Sequence, residues 1–170
     1  MDTLKAILSR RSIRVFSDKE IGNTELEEIL RAAMYAPSGG NAQPWDFVVI
    51  RDKAILRELE ITSKYTEPLK TANRAIVVCG NKEKEKFPDL WVQDCSAAIQ
   101  NIMLAAHNLG IGSTWLGVYP IEDRINNTSK IIGTPNHITP FAIVAMGYPG
   151  EEKTMPDRFN LANIHMDKWK

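Results

Sequence analysis

APSGGNAQPWDFVVI, residues 36–50, joins a helical pattern to an apolar strand. Pro37 cannot continue a helix, because it lacks the backbone N–H and its ring crowds the preceding turn. Ser38, Gly39, Gly40, Asn41 and Gln43 are turn formers that leave the backbone exposed. Trp45 to Ile50 is then aromatic and β-branched, which fits a pleated, partly buried strand. A loop of this kind can bring its own N–H groups against a flat heteroaromatic ligand. Its amide side chains offer a donor and an acceptor each. The plain alternative is a surface turn. Against it stands the abrupt change from glycines to Asn41, Gln43 and Trp45, with no extra length for a flexible linker.

Working outward, Leu4, Ile7 and Leu8 predict a short helix that ends near Arg10. Thr24 with Glu27 reads as a capping box for a helix carrying Leu26, Ile29, Leu30 and Ala33. Downstream, a helix is expected over 52–60 and a strand over 74–80, followed by a charged, solvated loop over 81–89. The longest helix runs over 90–109, with Cys95, Ala98, Ile99, Ile102, Ala106 and Leu109 at helical spacing. Alanines at 97, 98, 105 and 106 allow close approach on more than one face, which suits a central element or a subunit interface. Gly110 and Gly112 are expected to end this helix. Strands at 113–118 and 141–147 flank a shorter helix over 121–132. The helix-rich ends speak against a doubly wound parallel sheet, so the expected class is α+β.

The 170 residues suit one domain, spanning 1–170 and burying roughly 70% of its unfolded surface. Apolar residues make up 44% and charged ones 25%, and 21 basic side chains balance 21 acidic ones. No global field therefore favours nucleic acid or an anionic membrane. The absence of a charged-then-apolar leader or a long apolar run points to a cytoplasmic protein. Cys79 and Cys95 read as buried free thiols rather than a disulfide.

Positive charge is concentrated at Arg10, Arg11 and Arg14, a small-anion signal. In an extended run, alternate residues share a face, so Arg10, Ser12 and Arg14 could meet one ligand. Forked guanidinium donors match phosphate oxygens; the alternative is a solvated patch paired with Asp18 or Glu20. Gly110 and Gly112 close a helix, whereas a dinucleotide-binding fingerprint opens one, which excludes that motif. His107, His137 and His165 lack ligand spacing for a metal. No serine or cysteine nucleophile carries a signature. Redox chemistry supplied by a bound cofactor needs little acid–base machinery.

As a set, ILSRRSIRVF, ILRAAMYAPSGGNAQPWDFVVI, WVQDCSAAIQNIMLAAHNLGIGSTWLGVYP and FAIVAMGYPGEEKTMPDRF resemble the nitroreductase family of FMN-dependent oxidoreductases. The blocks lie in family order from residue 7 to 159. The resemblance implies a central, mixed but mainly antiparallel sheet surrounded by helices, and a homodimer built on a long central interface helix. Two FMN molecules would lie at the interface, each held by both chains. Arg10 and Ser12 match positions near the FMN phosphate and ribityl chain, with Arg11 between them. Arg14 matches the position beside the pyrimidine edge, where a cation tunes the ring electrostatically. Pro37, Ser38, Gly39, Asn41 and Gln43 match the loop contributed by the other subunit. Trp115, Leu116 and Gly117 match the strand passing flavin N5, and Arg158 matches a phosphate-contacting residue of the tail.

The implied activity is ping-pong hydride transfer from NADH or NADPH, through the flavin, to a nitroaromatic, quinone or similar electron-poor small molecule. No side chain is expected to act as catalyst. Pro156 and Asp157 stand where many relatives have a second basic residue, so Lys153 is a candidate substitute. Lys64 and Tyr65 are candidate pocket-lining residues. The alternatives are a dehalogenase-like or flavin-modifying enzyme of the same fold, or a non-catalytic flavin-binding protein.

Overall fold

The computed structural model describes residues 2–169. Among them, four strands form one sheet: β1 (Trp45–Ile50), β2 (Arg74–Asn81), β3 (Gly112–Gly117) and β4 (Ile138–Gly147). Their order is β1-β2-β4-β3, and every neighbouring pair is antiparallel. The expected mixed character shrinks to one isolated parallel bridge, Ser12 to Ser113. Helices α1 (Thr3–Ser9), α2 (Asn23–Met34), α3 (Lys53–Glu60), α4 (Trp91–Asn108) and α5 (Glu122–Ile132) complete the α+β fold.

The sheet is buried on both faces because its central strands are apolar through their middles, Ala75 to Cys79 in β2 and Pro140 to Met146 in β4. Side chains alternate across a strand, so Ile76 and Val78 join Val144 and Met146 in a core with Ile29, Ile99 and Ile102 from α2 and α4. Val77 and Cys79 point the other way, with Ile143 and Ala145, onto Leu56, Leu59 and Leu69. Each of the valine, leucine, isoleucine and methionine side chains among these contributes about 1.5–3 kcal/mol on burial. The result is a helix–sheet–helix sandwich that leaves the free edge of β3 available for another segment.

Three local expectations need correction. The cap of α2 lies two residues earlier than Thr24. Gly22 is the N-cap, and the Glu25 carboxylate accepts the Gly22 N–H at 2.7 Å. Tyr148 donates its hydroxyl to the other Glu25 oxygen at 2.9 Å, a tertiary bond that favours this register. Strand β4 begins at Ile138 rather than Phe141, because a bulge at Phe141, between the pairs Val78–Ala142 and Cys79–Pro140, accommodates Pro140 inside the ladder. Gly110 does end α4, with φ of 75°, whereas Gly112 opens β3.

Both cysteines are free and fully buried. Burial pushes the Cys79 thiol up to about 12 and raises that of Cys95 further. Among the described residues, no helix is long and apolar enough to cross a membrane.

Candidate functional site

The segment after α1 runs along the free edge of β3. Ile13 donates its N–H to Ser113 O at 3.0 Å, Gly150 donates to Val15 O at 2.9 Å, and Ser17 donates to Tyr148 O at 2.8 Å. This docking requires glycine at 112: a Cβ there would lie 2.8 Å from Ile13 Cβ. The Glu151 carboxylate, which the sequence did not single out, fixes the next residues. It accepts the N–H groups of Arg14 at 2.7 Å and Val15 at 3.3 Å and pairs with Lys153 at 2.5 Å. Lys153 and these N–H groups hold its carboxyl below the ordinary value.

Arg10 lines a cavity of about 320 Å³ with His107, Ser113, Pro149 and Lys153. Its Nη1 is buried without a hydrogen-bond partner. Burial, then Arg11 and Arg158, lower the Arg10 pKa: like charges converge here on a donor that nothing satisfies. Arg11 plays a different part. It donates to the carbonyls of Leu8 at 2.8 Å, Arg10 at 2.6 Å and Thr154 at 3.1 Å, tying the tail to the segment. Arg158 is exposed. Lys153 lines the Arg10 cavity, but Glu151 holds its ammonium. His107 Nε2 lies 2.8 Å from Ser9 Oγ, which itself donates to Lys5 O at 2.6 Å.

Arg14 reaches a second cavity, of about 330 Å³, with Lys64, Tyr65, Lys70 and Thr71. Arg10 and Arg14 thus do not converge on one point, as their shared face suggested. Four residues of roughly extended chain separate them by about 13 Å, so a common ligand must be elongated. Ser12 sits between, in its bridge to Ser113.

On β3, Leu116 is buried while Trp115 and Gly117 are exposed. Trp115 meets Phe141 edge-on at 5.7 Å. The carbonyl of Gly117 accepts from Arg124 Nη1 at 3.0 Å. That guanidinium lies 5.1 Å from the Tyr65 ring centroid, and the Lys64 ammonium lies 5.1 Å from the same ring. The sequence drew no attention to Arg124, which looks like any cation in a first helical turn.

The glycine–amide loop is a built element. Gly40, Asn41 and Gln43 have φ of 56°, 53° and 48°, a left-handed backbone that glycine and asparagine tolerate best. Gly39 donates its N–H to the buried Asp94 at 3.0 Å, Ser38 Oγ accepts the Gln43 N–H at 3.0 Å, and Lys86 donates to Gly40 O at 2.8 Å. Pro37, Asn41 and Gln43 remain exposed. Asp94 belongs to the first turn of α4 and His107 to its last turn. Thirteen helical residues at 1.5 Å each separate the loop from the Arg10 cavity by about 20 Å in one chain.

Comparison with known proteins agrees with this architecture. The model of the nitroreductase family matches residues 7–79 and 62–148. A protein of Archaeoglobus fulgidus named "Putative NADH dehydrogenase/NAD(P)H nitroreductase" is 49% identical, with 99% of both chains covered. Among solved structures, an FMN-dependent nitroreductase from Clostridium difficile R20291 is 31% identical with a TM-score of 0.92, covering 98% of this chain and 99% of its own. A nitroreductase-fold chain from Desulfovibrio desulfuricans, crystallised "in complex with fmn", is 31% identical with a TM-score of 0.85, covering 100% and 98%. With the family model spanning most of its length and a relative at nearly half identity from end to end, this chain belongs to the nitroreductase family.

Proposed function

We propose that residues 1–170 form one FMN-binding domain that works as a homodimer, oxidising NADH or NADPH and reducing a nitroaromatic, quinone or similar electron-poor acceptor. The observation that carries this reading is the unpartnered, buried Nη1 of Arg10. A buried guanidinium N–H left without an acceptor is costly. A phosphate in the cavity would satisfy it, with Arg158 adding charge and Ser12 available to the ribityl chain. Arg14, about 13 Å further along the extended segment, suits the pyrimidine edge of the same elongated molecule. There its charge favours electron density arriving on the ring. Trp115 and Gly117, exposed on β3 with Leu116 anchoring the strand, suit contact near N5. FMN held there would supply two-electron redox chemistry between the nicotinamide and the acceptor that replaces it.

The 20 Å gap within one chain supports a dimer. Two copies crossing through α4 in opposite directions would bring the 37–43 loop of one to the arginines of the other. The least covered strip of α4 carries Ala97 and Leu104 between Gln93, Gln100 and Asn108, which permits close helix approach. The tail exposes Met155, Phe159, Leu161, Met166 and Trp169 by 67–87%. So much apolar surface on an extended arm is suited to lie on a second copy.

The purified protein should be yellow, dimeric, and bleached by NADH or NADPH without oxygen. Its colour should return when a quinone is added, which separates an enzyme from a flavin-binding protein. Arg10→Ala should weaken FMN binding roughly tenfold to a hundredfold, the equivalent of one charge-assisted hydrogen bond. Unchanged affinity would remove Arg10, and with it this reading, from the site.

A further inference from the structure

We propose that the cavity beside Arg14 selects acceptors that carry a carboxylate, using Lys64 and Arg124 around Tyr65 as the recognising surface. The proposal presumes FMN binding as set out above.

Arg14, Lys64 and Lys70 line this cavity against a single carboxylate, Glu67, and Arg124 joins them across Tyr65. With Arg14 assigned to the flavin, Lys64, Lys70 and Arg124 against Glu67 still leave a surplus of two positive charges, in a chain whose charges cancel overall. Among the described residues, none of these four cations is in an ion pair. Arg124 commits one N–H to Gly117 O, and a guanidinium has five.

Tyr65 gives the surplus a shape. Its ring is 57% exposed and is approached by two cations, each 5.1 Å from the centroid, within the range of cation–π attraction. With both cations over this exposed ring, a flat aromatic anion would meet Tyr65 through its edge while its oxyanion pairs with Lys64 or Arg124. Through Gly117, Arg124 is attached to the strand proposed to pass the flavin ring, so a molecule held here lies beside the redox centre.

The test uses the FMN-loaded protein with NADH and two matched acceptors, 4-nitrobenzoate and neutral 4-nitrobenzamide. In each, the nitro group takes two electrons from NADH and two protons to give the nitroso compound and water. The wild type should favour the benzoate by about tenfold in kcat/KM, expressed through KM, as two partly exposed charge pairs would give. Lys64→Gln and Arg124→Gln should each cut that ratio about threefold. Raising ionic strength from about 0.01 M to about 1 M, which shortens the Debye length from about 30 to about 3 Å, should abolish it.

A loaded, NADH-reducible wild type with no benzoate preference overturns this proposal alone. A protein that takes up no FMN overturns the parent reading and this one together. If both variants slow flavin reduction by NADH and leave the benzoate ratio intact, the cations serve the donor's phosphates and the proposal is wrong.

Discussion

Alanine at position 112 should dislodge the segment that carries the arginines. The new Cβ would lie 2.8, 2.9 and 3.0 Å from Ile13 Cβ, Cγ2 and Cγ1. Carbon atoms are comfortable at about 3.5–4.0 Å, so Ile13 must retreat by roughly 0.5–1 Å. It cannot do so freely, being 8% exposed and bonded through its N–H to Ser113 O. Overpacking of this kind costs about 1–3 kcal/mol, or about 2–12 °C in the unfolding midpoint of a chain this size. Ile13 stands between Arg10 and Arg14, so its displacement misaligns both. Losing one charge-assisted bond to phosphate, about 1.5–3 kcal/mol, lowers FMN affinity tenfold or more. The measurement pairs thermal unfolding of the apoprotein with fluorescence titration of FMN. Gly133→Ala serves as control: it strains a left-handed C-cap (φ 68°) with no atom within 4 Å of its Cβ, away from the site. It should lose stability and keep FMN affinity. If Gly112→Ala binds FMN like the wild type despite a lower midpoint, the close approach does not position the arginines. If the midpoint does not move, the packing argument itself is wrong.

Other outcomes follow from the same geometry. Asp94→Ala strips the acceptor from the Gly39 N–H and should cost about 1–3 kcal/mol. It should also lower FMN affinity of the dimer, although Asp94 is an α4 length from Arg10 in its own chain; equal affinity would exclude the loop from the site. Cys79 and Cys95, buried and with thiols pushed up, should both resist a thiol-reactive dye in the native protein and both react in denaturant. Prompt native labelling of either would contradict the packing of the sheet. The Glu25 carboxyl is lowered by the Tyr148 hydroxyl first and the Gly22 N–H next. Its contribution is therefore present above the ordinary unfolded value near pH 4.3 and is lost as pH falls through the lower folded value. Tyr148→Phe should accordingly be less stable than wild type at neutral pH, and the gap should narrow on acidification. A gap independent of pH in urea unfolding would mean that the ionised carboxylate does not hold the bond.

Elements set by neighbours in sequence were legible in advance. Asp52 caps α3 through the Ala54 N–H at 2.7 Å, and the apolar run at 74–80 became β2. What failed depended on distant partners. The register of α2 depends on Tyr148 reaching back to Glu25, 123 residues away. Pro140 looks like a strand breaker until pairing with β2 leaves Phe141 as a bulge beside it. Gly112 reads as a helix stop, and only Ile13, folded against it, shows that the missing side chain is needed for close approach.

The site divides the same way. Residue types drew attention to Arg10, Arg14 and the 37–43 loop, but a solvated basic patch and a surface turn account for each taken alone, and only the resemblance to the nitroreductase family joined them. Their arrangement was invisible to them. The length of α4 holds loop and arginines about 20 Å apart, and β3's free edge sets Arg10 and Arg14 over separate cavities. Glu151, Asp94 and Arg124 acquire roles only by contact with chain far from them in sequence. Local chemistry is written in side chains, but the distance between two such chemistries is set by packing of the whole sheet and its helices.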